Sequence, residues 1–520
     1  MQYSLRRATT GIIAVLFLVS SCGTTDKNTV VQTTSSSQRT IGCHGILHKG
    51  AAPDTVKGEP CREVLSRKET AERLDRENLL YTGRLVTDRD TSMLDVPETV
   101  KKYRGTEFTM AGTAPEIDFV IIPVEPRFVR VYNNQYESGW WGNYCQSNYF
   151  EPTGKFYTGV ADHGVYDAHI YLVEYDPVTK KVRCLPEVNR SIGRSPDRFG
   201  DGILHGWLDF YQSEQLARPH LWFCTYWGRF PEPRDEDYAT GYDGGHIVSY
   251  DMATEEFVDY GVPLPRTSWP YHRVDSRRGM LYAVSLFSEF LAWDINAQKT
   301  RWAGYLPKGM TWYNRSILLD AETGMVYTTN ADESDTLRHM IRYNPVRNRF
   351  TVMDCHMPKN ARSGAIDHMR AQTRDRGPDN LVWGVTSSGE LFSFDPDNER
   401  IEDKGINWPG DGRYTCTMER SPGGRYIYYQ VMSYKDGSPV IQYDTRTGEK
   451  KVLAFLYPYY SKKYGYIPTG SYSFKLDSTG GLLFMVWNGA FIEPADNIGV
   501  DFWGHCSIML MHIPESERRE

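Results

Sequence analysis

The sequence has no surplus of positive charge: 59 Lys and Arg stand against 66 Asp and Glu, for a formal net charge of −7. That argues against a general nucleic-acid binder, which carries a basic surplus or stripe. None of the 9 cysteines forms a Cys-x-x-Cys pair, so a zinc ribbon or a thioredoxin-type site is not expected. Beyond residue 19 no apolar run is long enough to cross a bilayer. Nor is the bulk of the chain disordered, with 40% hydrophobic and 24% charged residues. At 520 residues it can bury a large core without help from a disulfide or a metal.

Aromatic residues are abundant instead, at 13%, with 35 Tyr and 13 Trp. Such side chains favour pleated, half-buried strands. This length averages three domains, yet one all-β propeller can use most of it.

The first segment is an address. Arg6 and Arg7 precede the apolar run 11–19, and small residues lead to Cys22. This is the layout of an export signal; the residues after the arginine pair do not fit twin-arginine export. The Val-Ser-Ser-Cys ending resembles a bacterial lipobox. The resemblance implies a signal peptide over 1–21, lipidation of Cys22, and a lipid-anchored place in the cell envelope. Residues 22–60 follow as a tether, richest in Thr and Ser over 23–40. In an oxidising compartment Cys43 and Cys61 are the most plausible disulfide. The other six cysteines read as buried small hydrophobes. An extension occupies 61–116, with a solvated helix of mixed charge over 62–82.

From 117 to 520 the chain repeats itself. An apolar alternation ends in aromatic-Asp/Asn six times, at Tyr175-Asp176, Tyr250-Asp251, Trp293-Asp294, Tyr343-Asn344, Phe394-Asp395 and Tyr443-Asp444. Asp and Asn at such points open tight turns. A second turn precedes each hairpin, as in Asp275-Ser276-Arg277-Arg278-Gly279 and Asp320-Ala321-Glu322-Thr323-Gly324. Two hairpins per period of this size make a four-stranded propeller blade. The expected fold is all-β, a seven-bladed β-propeller, with six or eight blades left open. The run Ile117–Pro123 is placed to supply the missing strand of the last blade and close the ring.

In a propeller the innermost strand of each blade lines the channel. Strand starts carry His205, Tyr271-His272-Arg273, Tyr313-Asn314-Arg315, His368 with Arg370, and Tyr472 with Lys475. Ends of second strands carry Asp162-His163, Trp227 with Arg229, Asn330 and Trp487-Asn488. A funnel of Arg and His suits an anionic ligand despite the acidic whole. Trp140, Trp141, Trp227, Trp312 and Trp487 could offer flat faces to sugar rings. Together these point to an acidic polysaccharide as partner and to β-elimination at a uronate. Arg273 or Arg315 would neutralise the carboxylate. His163, His205 or His272 would be the base. Tyr271 or Tyr313 would be the acid. His368, Arg370, Tyr472, Trp227 and Trp487 would hold substrate. Calcium or zinc could replace the arginine role, with Asp162, His163, Asp167 and His169 as a conceivable cluster, so the metal stays open. The opposing reading is that inward polar groups bond between blades and the tryptophans pack the core. The acidic run 231–237 reads as a solvated loop.

This exported, tethered, repeat-built chain with His, Tyr and Arg near the inner strands resembles the propeller-fold polysaccharide lyases, including the ulvan lyases. Enzymes acting on rhamnose–glucuronate linkages fit equally. The resemblance covers the architecture of about 117 to 515, and implies a lyase using His, Tyr and Arg on a uronate. No sialidase Asp-box series is present. Two alternatives stand beside it. One is a non-catalytic propeller that binds glycan or protein, whose funnel groups engage only one another. The other is a glycoside hydrolase, disfavoured because few carboxylates sit at inner strand starts.

Overall fold

The computed structural model describes residues 85–124, 140–163, 169–194, 201–213, 218–228, 235–239, 241–490 and 505–520, plus isolated positions at 131–132, 135–136, 216 and 233. Side chains of 131–141, 162–163, 490 and 505 are outside the description. Cys22, Cys43, Cys61, the tether and the helix expected over 62–82 also lie outside the described residues.

Each period turns into an antiparallel sheet because its strands alternate apolar and polar positions and its turns carry Asp, Asn or Gly. Seven such sheets form a seven-bladed β-propeller. In chain order, blade 1 runs over 140–187, blade 2 over 209–259, blade 3 over 271–305, blade 4 over 318–356 and blade 5 over 369–406. Blade 6 runs over 418–455 and blade 7 over 467–512. The ring closes through Glu116–Ile121, which pairs antiparallel with His505–His512, Phe119 facing Met509. The last blade thus joins strands from both ends of the ring, as expected of the 117–123 run. Upstream residues join in as well. Val86–Asp88 pairs outside Glu116–Ile121, and Thr109–Met110 adds a parallel strand to blade 6.

The repeated aromatic-Asp/Asn sites do what their chemistry predicts. In each of the six turns the carboxylate or amide oxygen accepts backbone N–H groups two or three residues on: Asp176 from Val178 and Thr179, Asp251 from Ala253 and Thr254, Asp294 from Ala297. Asn344 accepts from Arg347, Asp395 from Asp397 and Asn398, and Asp444 from Arg446 and Thr447. Four residues after each, the chain enters the left-handed region, at Lys180, Glu255, Gln298, Asn348, Glu399 and Gly448. Only the last of these is glycine.

The core lies between blades. Phe119 is fully buried and meets the rings of Tyr460, Tyr464 and Tyr466 at 4.8, 5.4 and 5.4 Å. Two of those rings belong to the helix Leu456–Tyr464, which ends at Gly465. The buried Asp88 accepts from Tyr459 and Tyr464 and pairs with Lys463, tying the first strand to that helix. Cys145, Cys224, Cys416 and Cys506 are buried, Cys184 and Cys355 half-buried, and all six are unpaired. The acidic run corrects one expectation. Its Asp235–Ala239 part is a short helix, and Asp237 is buried rather than solvated.

Candidate functional site

Inner strands of a ring start on one face, so residues just before them converge. Arg315, Arg370, Cys416 and Tyr472 each stand five residues before a turn residue: Asp320, Asp375, Ser421 and Asp477. Two residues earlier stand Tyr313, His368 and Tyr414. Tyr144 of blade 1, His205 and Tyr226 of blade 2 and Tyr271 of blade 3 complete the circle. Every blade therefore contributes a side chain.

Contacts cross the channel. Arg315 Nη1 donates to His205 Nε2 at 3.0 Å, from blade 4 to blade 2. Arg370 Nη1 reaches Tyr271 Oη at 3.5 Å, from blade 5 to blade 3. Arg370 Nε donates to Tyr414 Oη at 2.6 Å, and Nη2 lies 3.2 Å from Cys416 Sγ. Around His205 the rings of Tyr144, Tyr271, Tyr472 and Tyr226 lie at 5.5, 5.2, 6.1 and 6.2 Å. Tyr313 stacks on His368 at 4.2 Å, nearly parallel at 8°.

The electrostatics are one-sided. A guanidinium stays charged at any ordinary pH, and Arg370 is fully buried. Among the described residues neither Arg315 nor Arg370 forms an ion pair with a carboxylate. Burial without a counter-ion is costly, so the pair favours any anion that reaches it. Burial pushes the Tyr313 and Tyr414 phenols up, so both stay protonated. Burial, with Arg338 nearby, lowers His368 to about 3, so its ring is neutral near pH 7. Tyr313, Arg315, His368 and Tyr414 are half-buried, which leaves the blade 4 to 6 side of the ring accessible.

The structure thus brings together His205, Tyr271, Tyr313, Arg315, His368, Arg370 and Tyr472. Of the other expected site residues, those whose side chains are described lie elsewhere. Arg273 is buried against Asp209 at 3.2 Å, and Arg374 pairs with the same carboxylate. Both guanidiniums stack on Trp207, at 4.4 and 4.6 Å. This cluster sits two to four residues deeper along the inner strands, and Arg374 also reaches the Ser147 carbonyl at 3.3 Å. Its arginines are neutralised, unlike Arg315 and Arg370 of the upper layer. His272 is fully buried and points between blades, its Nε2 accepting the Cys224 N–H at 3.3 Å. A Cβ on Gly206 would collide with its ring. Strand alternation explains this: Tyr271 faces the channel, so His272 cannot.

Trp227 is buried on Tyr242 at 4.5 Å, and Trp312 and Trp487 are fully buried core. Asn488 binds the backbone of Asn143 through both amide atoms, and Lys475 pairs with Glu419 at 2.9 Å. His163 ends the strand Lys155–His163, and its side chain, with those of Trp140, Trp141 and Asp162, is outside the description. Asp167 and Arg229 lie outside the described residues, and His169 is buried. Sequence reasoning missed Tyr144, Tyr226, Tyr414 and Cys416. Counting back from the turn residue would have found Tyr414, which shares its register with Tyr313 and His368.

No family model matches the chain, and no curated protein matches it. Among solved structures it is similar to the "Structure of U3-55K", at 9% identity and a TM-score of 0.44. That likeness covers 75% of this chain and 98% of the other, and at such values it carries no argument about function.

Proposed function

We propose that this propeller is an exported, lipid-anchored lyase that cleaves a uronate-containing polysaccharide by β-elimination. The observation that carries the reading is the pair Arg315 and Arg370: two guanidiniums in one half-open ring, without a carboxylate partner among the described residues, beside His205 and Tyr271. The export and lipidation parts rest on the N-terminal sequence around Cys22 alone.

In this reading the substrate carboxylate meets Arg315, with Arg370 behind it. Its charge is neutralised, which makes the C5 proton removable. When the carboxylate takes the Arg315 Nη1–H, the His205 Nε2 lone pair is released to serve as base. The C5–H electrons form the C4–C5 double bond, and the C4–O bond breaks. The leaving oxygen takes a proton from Tyr271, whose oxygen accepts from Arg370 and whose O–H is donated to no group among the described residues. Tyr313 and His368 offer a flat face for a neighbouring sugar. No resident metal is required for the balance, and calcium or zinc remains an alternative cation for the carboxylate.

One observation favours a second reading, a non-catalytic glycan-binding propeller. All three Arg370 nitrogens are already engaged by groups of the ring itself.

The test is incubation of the purified protein with ulvan, pectins, arabinogalactan, glycosaminoglycans and alginate, following ultraviolet absorbance of the new double bond. A rise with one polymer, lost in Arg315→Ala, is expected. New reducing ends without absorbance would replace the lyase with a hydrolase. Binding without either signal would establish the second reading.

A further inference from the structure

The same face of the ring carries a second cluster, on the outer rim of blade 4. Its third strand is His339–Asn344 and its fourth is Arg349–His356. His339 opens the one and His356 closes the other, and the two are direct register partners. Cross-strand partners bring side chains within reach of each other. Here the ring centres are 5.7 Å apart and the planes stand at 80°.

Both rings have their tautomer set. His339 Nδ1 lies 2.8 Å from Asp335 Oδ1. The other carboxylate oxygen accepts the His339 backbone N–H at 3.0 Å. A carboxylate oxygen so placed accepts, and His339 Nδ1 carries the proton. His356 Nδ1 lies 2.9 Å from the Met357 carbonyl, which can only accept. In each neutral ring the lone pair is then on Nε2. Among the described residues, no hydrogen bond occupies either Nε2. His356 is exposed and His339 half-buried.

A carboxylate on one imidazole and a backbone carbonyl on the other is the outer-shell pattern of metal-binding histidines. The spacing is close to what chelation needs. A metal about 2.0–2.1 Å from each Nε2, at cis or tetrahedral angles, sets the ring centres about 4.5–5.3 Å apart, so the exposed His356 ring has to close by roughly half an ångström. We propose that His339 and His356 chelate a divalent transition ion of the zinc, copper or nickel type through their Nε2 atoms, with Asp335 and the Met357 carbonyl holding the rings. Imidazole ligands select this class over calcium or magnesium. Two protein ligands leave coordination positions open toward solvent on the funnel face, where a carboxylate or hydroxyl of a glycan can complete the shell. This site is independent of the elimination chemistry. It also differs from the group Glu116, Asp118 and His512, where Thr87, Lys180 and His512 already bind Asp118.

The experiment strips the full chain with a chelator and titrates it with Cu2+, read by calorimetry and electron paramagnetic resonance. The expected result is a copper site whose spectrum shows coupling to two imidazole nitrogens. That site disappears in His356→Ala and in His356→Gln, while any copper bound elsewhere on the chain persists. Asp335→Asn weakens the site by about 10- to 100-fold. Because His356 is exposed, thermal unfolding of the metal-free His356 variants should match the parent. Absence of nitrogen coupling, or equal affinity in the His356 variants, overturns the proposal.

Discussion

Arg315 of blade 4 crosses the channel and donates from Nη1 to Nε2 of His205 of blade 2, at 3.0 Å. Among the described residues, this permanent cation is held by an imidazole nitrogen and by no carboxylate. It is therefore available to an incoming anion. One layer deeper, Arg273 and Arg374 share Asp209 and are not.

The two layers should respond oppositely to truncation. Arg315→Ala is expected to lose about 10²–10³-fold in turnover, with unfolding free energy within about 1 kcal/mol of the parent, since a buried cation without a counter-ion is lost. Arg273→Ala leaves Asp209 with one partner and should cost about 3 kcal/mol of stability. Urea denaturation of both variants checks the contrast, and equal losses would remove the distinction between the layers.

Acid should destabilise the fold through His272. Burial lowers this ring to about 4, and it stays neutral in the folded protein. The unfolded chain takes up a proton near pH 6.5, so it binds more protons than the folded one between about 6.5 and 4. Stability is present above pH 6.5 and falls as pH drops through that window, by about 3 kcal/mol for a shift of this size. His272→Gln, which retains an acceptor, should flatten the stability profile between pH 7 and 5. An unchanged slope would show that the ring is not the responsible group.

The repeated turns predict a graded series. Gly448 has φ +75 with room for a Cβ, so Gly448→Ala should cost about 1 kcal/mol through conformation alone. Gln298 occupies the equivalent position at φ +48, and Gln298→Gly should be neutral or stabilising. Paired denaturation curves test the sign.

Ring closure rests on Phe119. Phe119→Ala removes a fully buried ring packed on three tyrosines and should destabilise by about 3–5 kcal/mol. Because blade 7 joins strands from both ends of the ring, hydrogen exchange should accelerate in Glu116–Ile121 and His505–His512 together. Loosening of one strand alone would contradict the closure.

Much of the fold was legible because it is local. Asp251 caps its turn through its neighbours Ala253 and Thr254, so the turn can be read from a few consecutive residues. The 117–123 run could be assigned to the last blade because an apolar strand without a hairpin of its own needs an edge to pair with. The helix Leu456–Tyr464 escaped notice, since its tyrosines resemble the strand tyrosines around them.

The site divides along the same line. Sequence alone determined that Arg315, Arg370, His205, Tyr271, Tyr313, His368 and Tyr472 stand near inner strand starts, because turn spacing counts positions along the chain. Which of these charges is bare and which is paired depended on partners far away in sequence. Asp209 neutralises Arg273 from 64 residues away, and His205 meets Arg315 across 110. Strand alternation also turned His272 from the channel into the core, one residue from Tyr271. Those outcomes follow from the closure of the ring, which sets residues of different blades against one another, and from the pleat, which sends adjacent side chains to opposite faces.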